Sequence, residues 1–313
     1  MRLMNHHMLP GSAFTNALKG SCFRLPLPTI EDQEWAQEPP VLSFSEEEEA
    51  RGQELLREMG IPEGAWFVCF HARDSAYLTK RVPNRDLSLT DCRNCSIENY
   101  VAAMRYIVSC GGYAVRVGAV VSERMPDPDD SRIIDYASDY RSDFGDIYLL
   151  AKCKFFVGSN SGLYSVPVMF NVPIVDANNF VMPIIPPDGP AEYEPVEFRA
   201  FNRRDMFLPK PVFSAEKARL LTLREVLESK VRYFDVSHKF EECGLEALEN
   251  SSDDILLVTK EMNDRLDGHF AYTDEDETLQ TRLRYLARAD PKNFAHLPRI
   301  GADFLRSHRK ELD

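Results

Sequence analysis

A chain of 313 residues, 44% hydrophobic and 28% charged, has ample apolar material for one large globular domain or two smaller ones. Its formal net charge of −13 argues against a general nucleic-acid or anionic-membrane binder, so an anionic ligand would need a local basic pocket in an acidic protein. Seven scattered cysteines, no signal-peptide pattern and no apolar run of bilayer length point to reduced thiols, a cytoplasmic setting and no transmembrane segment.

Taken in order, residues 1–44 carry five prolines by Pro40 and few periodic apolar positions, and are expected to be an irregular N-terminal segment. Ser45 and Glu48 have capping-box spacing, Leu55, Leu56 and Met59 form an apolar face, and Gly60 and Pro62 end that helix. Its run of glutamates, Glu46–Glu49, sits in the first turn, where the helix dipole favours negative charge. Trp66–Phe70 is a continuous apolar run of buried-strand type that delivers His71, Ala72, Arg73 and Asp74 at its C-terminal end. Ligands of open α/β sheets collect at such ends. The plainer alternative makes Arg73 and Asp74 a surface ion pair worth little.

Residues 75–95 read as a long polar loop of the kind that covers a site. Cys92 and Cys95 have metal-knuckle spacing within it, but no second pair follows at a suitable distance, and no metal site is expected. A helix begins at Ser96, with Ile97, Tyr100, Val101, Met104, Ile107 and Val108 on one face, and ends at Gly111 and Gly112. Tyr113–Gly118 is a second strand with Arg116 near its end, and Ile133–Tyr136 a short third. Asp143 is a candidate N-cap for a helix that contains Asp146.

The stretch Lys154–Gly162 organises the chain. Phe155–Val157 reads as a buried strand that stops at Gly158, followed by Ser159, Asn160, Ser161 and Gly162. A helix follows from Leu163, with Pro167 tolerated in its first turn. Strand, small-residue turn and helix together aim free N–H groups and a helix dipole at an anion. Tight geometry alone also explains Gly and Ser in many such turns. No lysine follows the last glycine as a Walker loop requires, and Asn160 stands where a hydrolase elbow needs its serine.

Val172–Asp176 is a further strand, residues 177–211 a Pro-rich loop ending in Leu208, Pro209 and Lys210, and 221–229 and 252–266 are helices. A last helix over 276–289 is mixed in charge, and 269–313 is expected to be a peripheral tail. The alternation predicts an α/β fold, a Rossmann-like parallel sheet with helices on both faces.

Phe70–Leu78, Arg93–Tyr100, and Asp146–Leu149 with Cys153–Gly162 together resemble a poorly characterised bacterial family assigned to the glycosyltransferases. More distantly, His71, Arg73 and the Ser-rich turn resemble the donor half of fucosyltransferase-type GT-B enzymes, where a His-x-Arg motif and a later Ser-rich turn hold the diphosphate of a GDP-sugar. Asp74 departs from the second arginine usual there.

The resemblance implies a donor-nucleotide-binding domain over 45–268, corresponding to the C-terminal half of a GT-B fold. It implies transfer of a sugar, GDP-linked by this likeness, from a nucleotide-diphosphate sugar to a glycan or related acceptor, with no metal and no other cofactor. It places His71, Arg73, Gly158, Ser159, Asn160, Ser161 and Gly162 on the phosphates, with Arg116 as a second-rank contact and Asp74 and Asp146 in support. No catalytic base is named. Roughly 65 residues precede the first strand, too few for an acceptor half of about 100 or more, so a separate acceptor-domain chain, truncation or lost activity is expected. The alternatives are a catalytically inactive nucleotide-sugar-binding or scaffold protein and, more remotely, a serine hydrolase acting through Ser159 or Ser161.

Overall fold

In the computed structural model, residues 42–84, 86–126, 130–159, 161–179, 204–234, 236–287 and 298–312 are described. The expectation of an irregular segment over 1–44 lies outside them except for 42–44. There Phe44 is packed rather than loose, its ring stacked on Phe170 at 5.4 Å and lying 5.1 Å from that of Tyr148. The first helix, α1 (Glu46–Glu58), starts as its sequence dictates. Ser45 Oγ accepts from the Glu48 N–H at 3.3 Å, and the Glu48 carboxylate accepts from the Ser45 N–H at 2.8 Å. Ser45→Ala is expected to lower folding stability by about 1 kcal/mol in chemical denaturation; an unchanged midpoint would mean that the cap is idle.

Strand β1 (Phe67–His71) is buried along its whole length because both of its faces are covered. Val68 and Phe70 face a core shared with Ala103, Met104 and Ile107 of α3 (Val101–Ser109). Phe67 and Cys69 face a second core with Leu56 of α1 and Leu149 and Leu150 of α5 (Asp143–Lys152). Between β1 and α3 the chain forms the short helix α2 (Ala76–Arg81) and two 3-10 turns, Ser88–Arg93 and Ile97–Tyr100. The 75–95 loop thus has helical structure of its own.

The strands β2 (Tyr113–Arg116) and β3 (Ile133–Ile134) follow, then α4 (Tyr136–Asp139) and α5. Ser142 rather than Asp143 caps α5, its Oγ accepting from the Gly145 N–H at 3.0 Å. After β4 (Phe156–Gly158) come a 3-10 turn (Gly162–Tyr164), α6 (Ser165–Met169) and β5 (Ile174–Asn179). The 177–211 stretch is not all loop, since β5 runs on to Asn179 and β6 spans Met206–Pro209. Beyond it lie β7 (Val212–Ser214), β8 (Arg219–Leu220), α7 (Leu223–Glu228), α8 (Ser237–Glu242), β9 (Leu245–Ala247), α9 (Ser252–Leu266), α10 (Asp274–Leu286), β10 (Arg299–Ile300) and α11 (Ala302–Ser307).

Seven strands form one parallel sheet in the order β10-β6-β5-β4-β1-β2-β3. The protein is therefore α/β, with helices on both faces of the sheet. A small antiparallel sheet, β8-β7-β9, is an addition the alternation did not announce.

The division at 268 and the peripheral tail are corrected. β10 is an edge strand of the main sheet beside β6, and Leu279, Leu283, Ala287, Ile300 and Leu305 are buried in the same core as Val68 and Phe70. The acidic first turn of α10, Asp274–Glu277, gives the helix a surface-like composition, but its Leu279 and Leu283 are one turn apart and face inward. Buried Glu261 of α9 fastens this part to the rest, accepting from the Ala302 N–H at 2.6 Å and the Tyr272 hydroxyl at 2.7 Å.

Candidate phosphate site at the switch point of the sheet

From β1 the chain winds outward through β2 and β3, then returns to β4 on the other side of β1 and continues through β5, β6 and β10. The strand order reverses between β1 and β4. In doubly wound sheets the crevice outside the carboxyl ends of the strands at such a point is where ligands bind. Here His71, the last residue of β1, pairs with Gly158, the last residue of β4. The Ser159 N–H donates to the His71 carbonyl at 3.1 Å, and Ser159 Oγ accepts from the Arg73 N–H at 2.9 Å. The two turns are stitched together at the crevice.

This contact explains Gly158, since a Cβ there would lie 2.9 Å from the His71 carbonyl oxygen and 2.5 Å from Cζ of the buried Phe156 ring. Gly162 has no such constraint, with open space where its Cβ would be. Asn160 lies outside the described residues. Ser159 is fully buried and committed to the stitch, whereas Ser161 Oγ is buried with no hydrogen-bond partner among the described residues. Neither hydroxyl is hydrogen-bonded to an imidazole among the described residues.

Arg73 does not pair with Asp74. Its Nη1 donates to the Thr90 carbonyl at 3.1 Å and its Nη2 to Thr90 Oγ1 at 3.0 Å, while Nη1 also reaches Asn94 Oδ1. Both Nη atoms are thereby used, while Nε makes no hydrogen bond among the described residues. A guanidinium has five N–H donors, more than these three contacts take, and its planar fork suits the oxygens of a phosphate or carboxylate. Burial and the nearby Arg93 lower the pKa of the group, which stays cationic at neutral pH as arginines do. Asp74 instead ties neighbouring loops, accepting from the Ala76 N–H at 2.9 Å and from the Ser122 N–H and hydroxyl at 2.8 and 3.0 Å.

His71 is buried, and its Nδ1 lies 3.0 Å from the Val117 carbonyl oxygen. A carbonyl only accepts, so Nδ1 carries the proton and, in the neutral ring, Nε2, which has no partner among the described residues, presents a lone pair. Burial pushes the pKa down to about 4, with the Val117 contact opposing. In this neutral state Nε2 of His71 is an acceptor rather than a donor.

The other two charges expected near the phosphates are turned elsewhere. Buried Arg116 donates through Nη1 to the Glu123 carbonyl at 2.9 Å and pairs with Asp135 at 3.3 Å, bracing the loop that follows β2. Asp146 accepts from Arg141 at 3.0 and 3.2 Å and holds none of His71, Arg73 and Arg116. Its carboxyl is pushed up by burial, against the attraction of Arg141.

Sequence reading missed Lys210, which follows β6 at the same edge. It is buried, and its Nζ donates to the carbonyls of Cys92 and Asn94 at 2.9 and 2.8 Å. A signal was present, because Met206-Phe207-Leu208 is an apolar run leading to a cation, as Trp66–Phe70 is before His71 and Arg73.

Among the described residues, no three His, Cys, Asp or Glu side chains gather to hold a metal ion, and no helix is long and apolar enough to cross a membrane. No protein-family model and no curated protein matches the chain. Among solved structures it is similar to the glycosyl transferase family 9 protein from Veillonella parvula DSM 2008, at 17% identity and a TM-score of 0.31, over 43% of this chain and 36% of that one.

Proposed function

We propose that the crevice between β1 and β4 binds the diphosphate of a nucleotide-diphosphate sugar, GDP-linked in the first instance. The protein is then a glycosyltransferase, or the donor-binding half of one, acting on a glycan or related acceptor. The observation that supports this best is Arg73 itself, a cation just past the end of β1 at the reversal of strand order, held in place by Thr90 and Asn94 and with no carboxylate partner among the described residues.

As the bond to the anomeric carbon breaks, negative charge grows on the leaving diphosphate. Donors already fixed at that place stabilise the transition state more than the ground state. Arg73 supplies a charged, two-pronged contact, Ser161 a hydroxyl and the backbone after Gly158 further N–H groups, so the transfer is proposed to need no metal. Ser159 positions Arg73 by accepting from its N–H. A partner chain is proposed to bring the acceptor side and the catalytic base.

Isothermal titration of the wild type with GDP, UDP and their sugars tests the donor site. No binding of any of them would overturn it. Tight binding without transfer to any acceptor, even with partner proteins added, would instead favour a nucleotide-sugar-binding protein that does not catalyse.

A further inference from the structure

Arg73 and Lys210 follow the ends of β1 and β6, which are separated in the sheet by β4 and β5, yet both reach Asn94. Arg73 holds its side-chain oxygen, and Lys210 holds its carbonyl and that of Cys92. At the β1 side the Cys95 N–H donates to the Arg73 carbonyl at 3.0 Å. On the far side the Cys92 N–H donates to Ser237 Oγ of α8 at 3.1 Å. Residues 88–95 therefore form a strap strung between the ends of β1 and β6, across the ends of β4 and β5.

The partners of these two cations are all neutral oxygens. A buried ammonium held only by dipoles is costly, and burial accordingly lowers the pKa of Lys210. Glu249, the carboxylate whose charge it senses, is engaged at 2.8 Å by the Ser96 N–H and at 2.7 Å by Asn99 Nδ2. Asp91 of the strap, whose charge Arg73 senses, accepts from Asn94 Nδ2 at 2.9 Å, and among the described residues neither cation has a carboxylate as hydrogen-bond partner, which suits them to an anion carrying more than one negative charge. An ammonium has three protons, and Lys210 spends two.

We propose that Lys210 is the second cation of the site, holding the strap over the crevice together with Arg73 and offsetting the charge of a bound diphosphate. This rests on the reading of the crevice as a diphosphate site.

The test titrates Lys210→Gln and Lys210→Arg with GDP or UDP, whichever the wild type binds, and with the matching monophosphate. Glutamine keeps N–H donors for the strap and removes the charge. Lys210→Gln is expected to weaken diphosphate binding roughly tenfold or more, to weaken monophosphate binding less, and to be largely restored by arginine. Equal losses for both nucleotides, no loss, or an arginine variant as weak as the glutamine one would overturn the role of the charge while leaving the diphosphate site standing. A wild type that binds no nucleoside diphosphate would remove the site itself. Should Lys210→Gln not fold, hydrogen exchange on the wild type decides: added protection of residues 88–95 on nucleoside diphosphate binding supports the proposal, and unchanged exchange there overturns it.

Discussion

Arg73→Lys is expected to weaken binding of a nucleoside diphosphate by roughly 1.5–3 kcal/mol, the range for hydrogen bonds to charged groups. Lysine keeps the charge but has no planar pair of donors to lay against two phosphate oxygens. The same change removes the contacts to Thr90 and Asn94, so folding stability should fall as well, by about 1 kcal/mol. The two effects are separable, one read by titration and the other by urea denaturation. Had Arg73 merely paired with Asp74, both changes would be small, but Asp74 is engaged by Ala76 and Ser122. Unchanged affinity with a lower denaturation midpoint would make Arg73 a strap anchor and nothing more.

The parts of this fold written in local pattern were legible in the sequence. Trp66–Phe70 is apolar without alternation because both faces of β1 are buried, and that can be seen in five consecutive residues. Gly158 and Ser159 marked the turn after β4 for the same reason, since the close pass of the His71 backbone demands a small residue at that point. What a charged side chain near a strand end will reach is set by distant segments. Arg116 and Arg73 look alike in sequence, each at or just past an apolar strand, yet one is taken by Asp135 and Glu123 and the other by Thr90 and Asn94.

Lys210 was hidden by its flanking prolines, Pro209 and Pro211, which read as loop although β6 is an inner strand that reaches Pro209. Longer-range still is the reciprocal pair of Asn178 and Asn250. Each donates its N–H to the other's side-chain oxygen at 2.7 Å across 72 residues, which fixes the end of β5, where Asn178 takes a φ of 57°. Asparagine tolerates that left-handed backbone, but nothing local in the sequence names its partner.

Lowering the pH from 6.5 to 4 is expected to destabilise the protein through His71 by about 3 kcal/mol. In the unfolded chain its imidazole takes a proton as the pH falls through about 6.5, whereas in the folded protein burial delays this until about 4. The unfolded state therefore binds more protons across that interval. Stability is full above the unfolded value and is lost as the pH falls towards the folded one. His71→Asn isolates the effect, because an asparagine Nδ2–H donates to the Val117 carbonyl from a similar position and does not titrate. Urea denaturation at several pH values should show the wild type losing more stability than the variant across this window, and parallel curves would sink the expectation. The same variant tests where the positive charge of the site resides. With Nδ1–H fixed on Val117 and Nε2 bare, neutral His71 brings no charge to a phosphate near pH 7. Diphosphate affinity there should then change little in His71→Asn, while Arg73→Lys and Lys210→Gln lose much of it. A loss in His71→Asn as large as in those two would mean that the bound ligand protonates His71 and that it joins the phosphate contacts after all.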